Sequence, residues 1–353
     1  MEKTHFERVI GGTEEEKKVA LDELQKAFDE RSGQLAEYEL EKTPDDLEIL
    51  NKTETTVAKI VTKYGGKPKS LPIDHVYILK SGSVFKMTEG RLAGGIHKPM
   101  GLKIGVEKGE SNLLLASTIA HELFHAKSYK SARVGKSGED VRAYRSGMAM
   151  FDRKDPNEES GDEREYFGAL EEAIVAECTK KFLDEMAKEN IFREEIAATR
   201  RFRDWVIEYY RKSELPPETV EEFKNEIKYI SNPIEKVEQV LAYSDKDEDR
   251  QAYAAGMFMA LYQNGEVETL ERYQERKRLY GLLDKIVASS NGRFETRDEV
   301  FEEFAIANFS GNYLTIAKVV EGILGRGSFR KLAEEFSEEP KKEGEHEESE
   351  STS

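Results

Sequence analysis

The sequence is poor in cysteine, in clustered basic residues and in long apolar runs, and each shortage excludes a class of protein. A single cysteine, Cys178, excludes any disulfide within the chain. No apolar run approaches the roughly 20 residues that a membrane-spanning helix needs. Acidic residues outnumber basic ones by 71 to 54, giving a formal net charge of −17. Because phosphate binding needs clustered lysine and arginine, this balance argues against nucleic acid as a partner.

The start of the chain and its overall composition indicate where the protein works. Residues 1–8 lack the basic-then-apolar layout of a secretory signal. Charged residues make up 35% of the chain and hydrophobic residues 38%, a balance typical of a globular, solvated protein. We therefore expect a cytoplasmic protein that binds neither membranes nor nucleic acid, with its oligomeric state left open.

Hydrophobic periodicity predicts an α+β protein that is mostly α-helical. A strand is expected over 102–107, where Leu102, Ile104 and Val106 alternate with less apolar residues. The next helix is expected to start after it, with Ser111 or Asn112 as its cap. The predicted helices are 14–31, 46–64, 112–128, 163–187, 191–212, 217–230, 233–243, 249–263, 266–287, 295–309, 313–325 and 328–336. The other predicted strands are 75–79 and 144–151, and 131–140 is predicted as a polar loop.

Changes in composition along the chain predict four parts. These are a helical N-terminal segment (1–70), a core with a small sheet (71–187), a helical C-terminal subdomain (188–336) and an acidic tail (337–353). The tail has no large apolar residue, so we expect it to be disordered.

The motif that carries chemistry is an HExxH pattern, His121-Glu122-Leu123-Phe124-His125, within the helix predicted over 112–128. Residues four apart are separated by roughly 40° around a helix. Both imidazoles therefore project from one side and can share one tetrahedral Zn²⁺ ion. Glu122 points to the same flank, where it can act as the general base toward a water molecule at the metal.

The rest of this helix supports a metal site. An apolar stripe runs along it, formed by Ala116, Ile119, Ala120 and Leu123. His121 and His125 fall well away from that stripe, which predicts a helix with one face in the core and its histidines facing a cleft. Only six histidines occur in the chain, and two of them have this spacing. The alternative is a coincidental pair of surface histidines.

An HELFH motif on a helix, with a strand before it and a glutamate-bearing helix after it, resembles the gluzincin branch of the zinc metallopeptidases. The resemblance spans about residues 100–185 and implies that 71–187 is a zincin catalytic core. In that branch the third metal ligand is a glutamate on a later helix, often preceded by asparagine. The corresponding stretch here is 169–177 (ALEEAIVAE), in which Glu171 stands in place of the asparagine.

Three glutamates of this stretch compete for the role of third ligand. The buried stripe of their helix is predicted to comprise Phe167, Leu170, Ile174, Cys178 and Phe182. Glu171 falls within this stripe, whereas Glu172 lies roughly 120–140° from it. Small residues surround Glu172 and would let its helix approach the metal closely; they are Ala169, Ala173 and Ala176. We therefore predict Glu172 as the ligand, followed in order by Glu171 and Glu177.

Two further histidines and several tyrosines are candidates for the remaining roles in a gluzincin site. His75 and His97 do not show the downstream spacing of a third histidine ligand. A Tyr-x-x-Gly pattern beginning at Tyr253 resembles the aminopeptidase N-like helix whose tyrosine stabilises an oxyanion. Other tyrosines that could serve instead are Tyr209, Tyr210 and Tyr262.

The strand over 102–107 is predicted to be the edge along which an extended peptide substrate pairs. The Gly-x-Met-Glu-Asn element by which aminopeptidases hold a substrate amine does not occur in the sequence. The resemblance therefore implies a peptidase without implying an aminopeptidase.

Together these features predict a zinc metallopeptidase, a hydrolase that acts on a peptide or protein substrate. Zn²⁺ is predicted to bind His121, His125 and Glu172, with Glu122 and Tyr253 as catalytic residues. Two alternatives stay open: a non-catalytic zinc-binding regulatory protein on the same fold, and a dedicated regulatory protease with one protein target. Cleavage preference and endo- or exopeptidase action are also left open.

Overall fold

Helices form most of the computed structural model, which describes residues 6–87, 95–97, 103–109, 111–134, 141–153, 163–193 and 272–337. The helices there are α1 (Glu14–Tyr38), α2 (Pro44–Lys63), α3 (Ser83–Met87), α4 (Asn112–Lys127), α5 (Gly168–Met186), α6 (Tyr273–Ser289), α7 (Arg297–Ser310), α8 (Tyr313–Leu324) and α9 (Ser328–Glu335). The strands are β1 (Arg8–Ile10), β2 (Val76–Leu79), β3 (Gly95–His97), β4 (Ile104–Glu107), β5 (Lys130–Val134), β6 (Val141–Ser146), β7 (Ala149–Arg153) and β8 (Glu163–Tyr166). The predicted α+β class is confirmed.

Several predictions fall outside these stretches. The helices predicted over 217–230, 233–243 and 249–263 lie outside the described residues, as do all but the first three residues of the helix predicted over 191–212 and all but the first residue of the tail predicted over 337–353. The helices in the described stretches are all too short or too polar to serve as membrane spans. The four-part division of the chain stays a prediction.

Side-chain caps set the starts of the first large helices. Thr13 and Thr43 each form a capping box with the acidic residue three positions later, Glu16 and Asp46. Ser111 caps α4, because its hydroxyl accepts a backbone N–H of the first turn at 3.0 Å. The helix that carries the HExxH motif therefore begins where its capping residue predicts.

A three-stranded sheet lies against α4 and has the order β2-β4-β3. β4 pairs in parallel with β2 and antiparallel with β3. The predicted substrate edge at 102–107 is therefore wrong, because β4 already has a partner along each side. β2 and β3 are the two outer strands of this sheet among the described strands. The residues after α1 pair with β2, as in the bridge between Glu39 and Leu79, so β3 is the outer strand considered below.

A second sheet of five strands, in the order β1-β5-β6-β7-β8, corrects three sequence predictions. The polar loop predicted at 131–140 is wrong over the residues of β5, which pairs with β1 on one side and with β6 on the other. The lysine and serine side chains of β5 are buried. The single strand predicted over 144–151 is a hairpin of β6 and β7, turned at Gly147 with φ of +55°. The helix predicted from 163 starts only at Gly168, because β8 pairs with β7.

One continuous apolar core joins helices from both ends of the described chain. Its fully buried members include Val57 of α2, Ile119 of α4, Ile174 of α5 and Phe304 of α7. α4 runs through this core and packs against α2, α5, β3 and β4. The expected cleft-facing helix is therefore enclosed on nearly all sides, and even His121 is only 6% exposed.

Candidate metal centre

α4 and α5 pack together and bring His121, His125 and Glu172 to one point. The Nε2 atoms of the two histidines are 3.0 Å apart, and each lies 3.6 Å from a carboxylate oxygen of Glu172. Bonds of 2.0–2.1 Å at tetrahedral angles place the donors around Zn²⁺ about 3.3 Å from one another. The two 3.6 Å distances run to different oxygens, from His121 to Oε2 and from His125 to Oε1 of Glu172. One donor atom from each of the three residues lies within 4.8 Å of the other two, so the three side chains can approach a single ion.

Small residues explain how α5 reaches α4 closely enough to form this cluster. Ala169, Ala173 and Ala176 are all buried, and none has a side chain long enough to hold the two helices apart. The five residues predicted as the buried stripe of this helix are also buried: Phe167, Leu170, Ile174, Cys178 and Phe182. Glu172 keeps more exposure than its neighbour Glu171, as its angular position on the helix predicts.

The donor atoms fit a zinc ion chemically as well as geometrically. Imidazole nitrogen and carboxylate oxygen are ordinary zinc donors, and three protein ligands are typical of a catalytic site. The Oε2 atom of Glu172 is buried and makes no hydrogen bond within the described part of the chain. Nε of Arg272 lies 3.0 Å from this oxygen and Nε2 of His121 lies 3.6 Å from it, so the carboxylate already attracts positive charge at this point.

Glu171 contacts His125 on the side of the imidazole ring opposite to His121 and Glu172. Its Oε1 atom lies 3.0 Å from Nδ1 of His125, whereas Nε2 of that ring faces His121. A carboxylate on the far nitrogen fixes the tautomer and the orientation of a metal-binding histidine. Glu177, the third candidate ligand, instead accepts a hydrogen bond from the Tyr280 hydroxyl.

Glu122 lies under the outer strand of the three-stranded sheet. Its side chain is buried, and a Cβ atom added to Gly95 of β3 would come within 2.7 Å of its Oε1 and 2.8 Å of its Cγ. Only glycine lets the strand pass this close to the carboxylate. β3 and the predicted general base are therefore direct neighbours.

The acidic groups around His125 control its charge in the metal-free molecule. Burial alone lowers the pKa of His125, but the charges of Glu171 and Glu172 outweigh it and hold that pKa well above its usual range. Burial likewise raises the pKa of Glu172, but the neighbouring His125 and His121 bring it well below its usual range. The cluster is thus arranged to hold positive charge beside carboxylates, the charge pattern that a cation site needs.

Lys130, at the start of β5, is a buried amine that sequence reasoning missed. It is only 1% exposed. Burial lowers the pKa of its amine to about 7, although the charges of Glu171 and Glu7 act in the opposite direction. Nothing in the sequence around Lys130 indicates a buried amine, because the polar residues that follow it predict a loop.

Arg272 is a second residue near the site that the sequence did not indicate. Its Nε atom lies 3.0 Å from Oε2 of Glu172, at ion-pair distance but without the alignment of a hydrogen bond. Its backbone is left-handed, with φ of 49° and ψ of 38°, immediately before α6. No local pattern links it to a glutamate so far away in the sequence.

The remaining predicted residues are the four candidate tyrosines and two further histidines. Tyr253 and its alternatives lie outside the described residues; these alternatives are Tyr209, Tyr210 and Tyr262. His75 ends a short 3-10 turn before β2, and His97 lies in β3. The group of residues identified as able to hold a metal ion in the described stretches contains neither histidine.

Comparisons with protein-family models, with curated proteins and with solved structures find no match to this chain. Its function must therefore be inferred from the chemistry of the cluster and its surroundings.

Proposed function

We propose that this protein is a zinc-dependent peptidase with a zincin core of the gluzincin type. The observation that carries the proposal is the convergence of His121 and His125 of α4 with Glu172 of α5 at separations of 3.0 and 3.6 Å. A surface pair of histidines without function would not need a buried carboxylate beside it. Zinc is favoured because two imidazoles and one carboxylate are ordinary donors of catalytic zinc sites and because the histidines belong to an HExxH motif.

The chemistry of a bound zinc ion and the position of Glu122 support hydrolysis. When bound, zinc supplies a Lewis acid that polarises a carbonyl oxygen and makes a neighbouring water molecule more acidic. Glu122 adjoins a ligand in the sequence but is not part of the ligand cluster. Its carboxylate can take the proton of the attacking water and deliver it to the leaving amine.

The outer strand supports a peptide as the substrate. An extended peptide can add to the edge of a sheet through backbone hydrogen bonds. β3 is such an edge among the described strands, and Gly95 within it touches the side chain of Glu122. A peptide paired with β3 would thus have its backbone beside the general base, which is the alignment that bond cleavage needs.

The test is hydrolysis of an unfolded protein by the zinc-loaded chain, compared between Glu122→Gln and Glu48→Gln. Glu48 lies on α2 with a side chain that is 54% exposed, so its amide variant is the matched control. We expect Glu122→Gln to keep its zinc and to lose at least about 100-fold in rate, the usual contribution of a general base. The control should cleave like the parent.

A Glu122→Gln variant that cleaves as fast as the parent would contradict the mechanism. Bound zinc without turnover of any protein or peptide substrate would favour the non-catalytic alternative. Cleavage confined to one partner protein would identify a dedicated regulatory protease.

A further inference from the structure

Asn308, near the end of α7, binds two segments that border the candidate metal centre. It is fully buried. Its Oδ1 accepts the backbone N–H of Met148 at 2.8 Å, and its Nδ2 donates to the hydroxyl of Ser128 at 2.9 Å. Its backbone oxygen accepts the N–H of Tyr129 at 3.0 Å. One asparagine of the C-terminal helices therefore holds both the residues that follow α4 and the turn between β6 and β7.

Arg145 connects the turn between β6 and β7 to α7 and to the residue that follows it. Its Nε donates to the carbonyl oxygen of Gly147 at 2.6 Å. Its two terminal nitrogens donate to the carbonyl oxygens of Gly311 and Ala307 at 3.0 and 2.9 Å. All three contacts use the planar fork of the guanidinium, a geometry that lysine cannot reproduce.

The turn held in this way lies directly against Glu171. A Cβ atom on Gly147 would be 2.2 Å from Oδ1 of Asn308 and 3.1 Å from Cγ of Glu171. Gly147 is thus wedged between the two side chains, in a left-handed conformation that favours glycine. Glu171 in turn lies 3.0 Å from Nδ1 of His125. Asn308 of α7 therefore adjoins the turn at Gly147, the turn adjoins Glu171, and Glu171 adjoins the candidate metal ligand His125.

We propose that Asn308 and Arg145 are positioning residues of the metal centre, acting through Glu171. A buried polar network whose members all have partners is rigid. By fixing the turn, this network limits where the Glu171 side chain can lie, and Glu171 orients the imidazole of His125. The C-terminal helices are then part of the metal site although they supply none of its three ligands.

The experiment is a double-mutant cycle on zinc affinity. Zinc binding is measured at 25 °C by competition with a chelator, in the parent, Asn308→Ala, Glu171→Ala and the double variant. Loss of a residue that orients a ligand typically weakens metal affinity about 10–100-fold. We expect each single variant to bind zinc that much more weakly, and the double variant no more weakly than Glu171→Ala, because Asn308 acts through Glu171.

Two further variants separate positioning from general loss of stability. Asp46→Ala removes the capping box at the start of α2 and the ion pair of Asp46 with Lys108, which follows β4. It should therefore lower the melting temperature without changing zinc affinity. Asn308→Asp keeps the size of the side chain and its acceptor for Met148 but removes the donor to Ser128, whose hydroxyl already donates to the carbonyl of Phe124, so it changes the same contacts without opening a cavity. We expect Asn308→Asp to weaken zinc binding less than Asn308→Ala does. In the cobalt-substituted protein, both variants should shift the visible spectrum in the same direction relative to the parent.

Zinc affinity of Asn308→Ala equal to that of the parent would overturn the positioning role. Losses that add fully in the double variant would overturn the route through Glu171. Because zinc binding here is itself our proposal, a parent that binds no zinc would refute the metal centre and this inference together, whereas a zinc-binding parent with unaffected variants would refute this inference alone.

Discussion

At the scale of residues, Glu171 and Glu172 are neighbours in the sequence that serve opposite sides of one imidazole. Successive residues of a helix are about 100° apart, so two adjacent carboxylates cannot face the same point. Glu172 reaches the Nε2 side of His125 and Glu171 reaches its Nδ1 side. In the proposed centre, Glu172 would bind the metal ion and Glu171 would orient the imidazole that binds it.

The buried amine of Lys130 gives a prediction that depends on pH. Its pKa of about 7 in the folded protein lies below the value of about 10.4 in an unfolded chain. The unfolded chain therefore binds more protons between these values, and stability contributed by this residue rises with pH across that window. We expect Lys130→Met to raise the free energy of unfolding by about 1–4 kcal/mol at pH 6–7, with a gain that shrinks toward pH 10.

Denaturant unfolding at pH 6.5 and at pH 10, each compared with the parent, measures this effect. Lys188→Met is the control, because Lys188 is exposed on the surface after α5 and should change stability at neither pH. A stabilisation by Lys130→Met that is the same at both pH values would contradict the assignment of the effect to titration.

At the scale of elements, local patterns predicted the helices better than the strands. The HExxH helix has a capping residue, an apolar stripe and a clear length, and all three are readable without knowledge of the fold. β5 was missed because its sequence, KSARV, is polar and its burial comes from partners elsewhere in the chain. The substrate edge was misplaced because the order of strands in a sheet is not encoded in any one strand.

The close contact between β3 and Glu122 gives a prediction for this edge. Gly95→Ala would place a Cβ against the Glu122 carboxylate and force that side chain to move. Because a shift of about 1 Å in a catalytic group can cost roughly 100-fold in rate, we expect hydrolysis to fall by about that factor while one zinc stays bound.

Gly109→Ala provides the matched control, since a Cβ there would meet no atom of the described residues within 4 Å. Rates of peptide hydrolysis and zinc content are measured for both variants. Full activity of Gly95→Ala would show that the position of Glu122 under β3 is unimportant for the reaction.

At the scale of the whole molecule, the candidate centre lies where distant parts of the chain meet. α4 and α5 supply its ligands, β3 covers Glu122, and α7 holds the turn behind Glu171. Arg272, Lys130 and Asn308 were not predicted as members of the site, because each is brought there by tertiary packing from a stretch with no motif. The cluster of His121, His125 and Glu172 could be predicted because the two histidines are four residues apart and the position of Glu172 follows from helical geometry.

A ligand that binds only the folded state stabilises it, so removal of the metal should lower the melting temperature. At a free zinc concentration of 100 times the dissociation constant, the stabilisation is about 2.7 kcal/mol. This corresponds to roughly 5 °C or more for a domain of a few hundred residues. We expect a chelator to lower the melting temperature of the parent by about this amount and to leave that of His121→Ala unchanged. An equal shift in both proteins would place the stabilising metal elsewhere.

The most direct test of the metal centre is the zinc content of the protein purified without chelators and then reconstituted with zinc. The parent is compared with His121→Ala, Glu172→Ala and the control His75→Ala, which removes a histidine that is not part of the cluster. We predict about one zinc per chain in the parent and in the control, and almost none in the other two. A parent that takes up no zinc, or a Glu172→Ala variant that keeps it as tightly as the parent, would contradict the proposed ligand set.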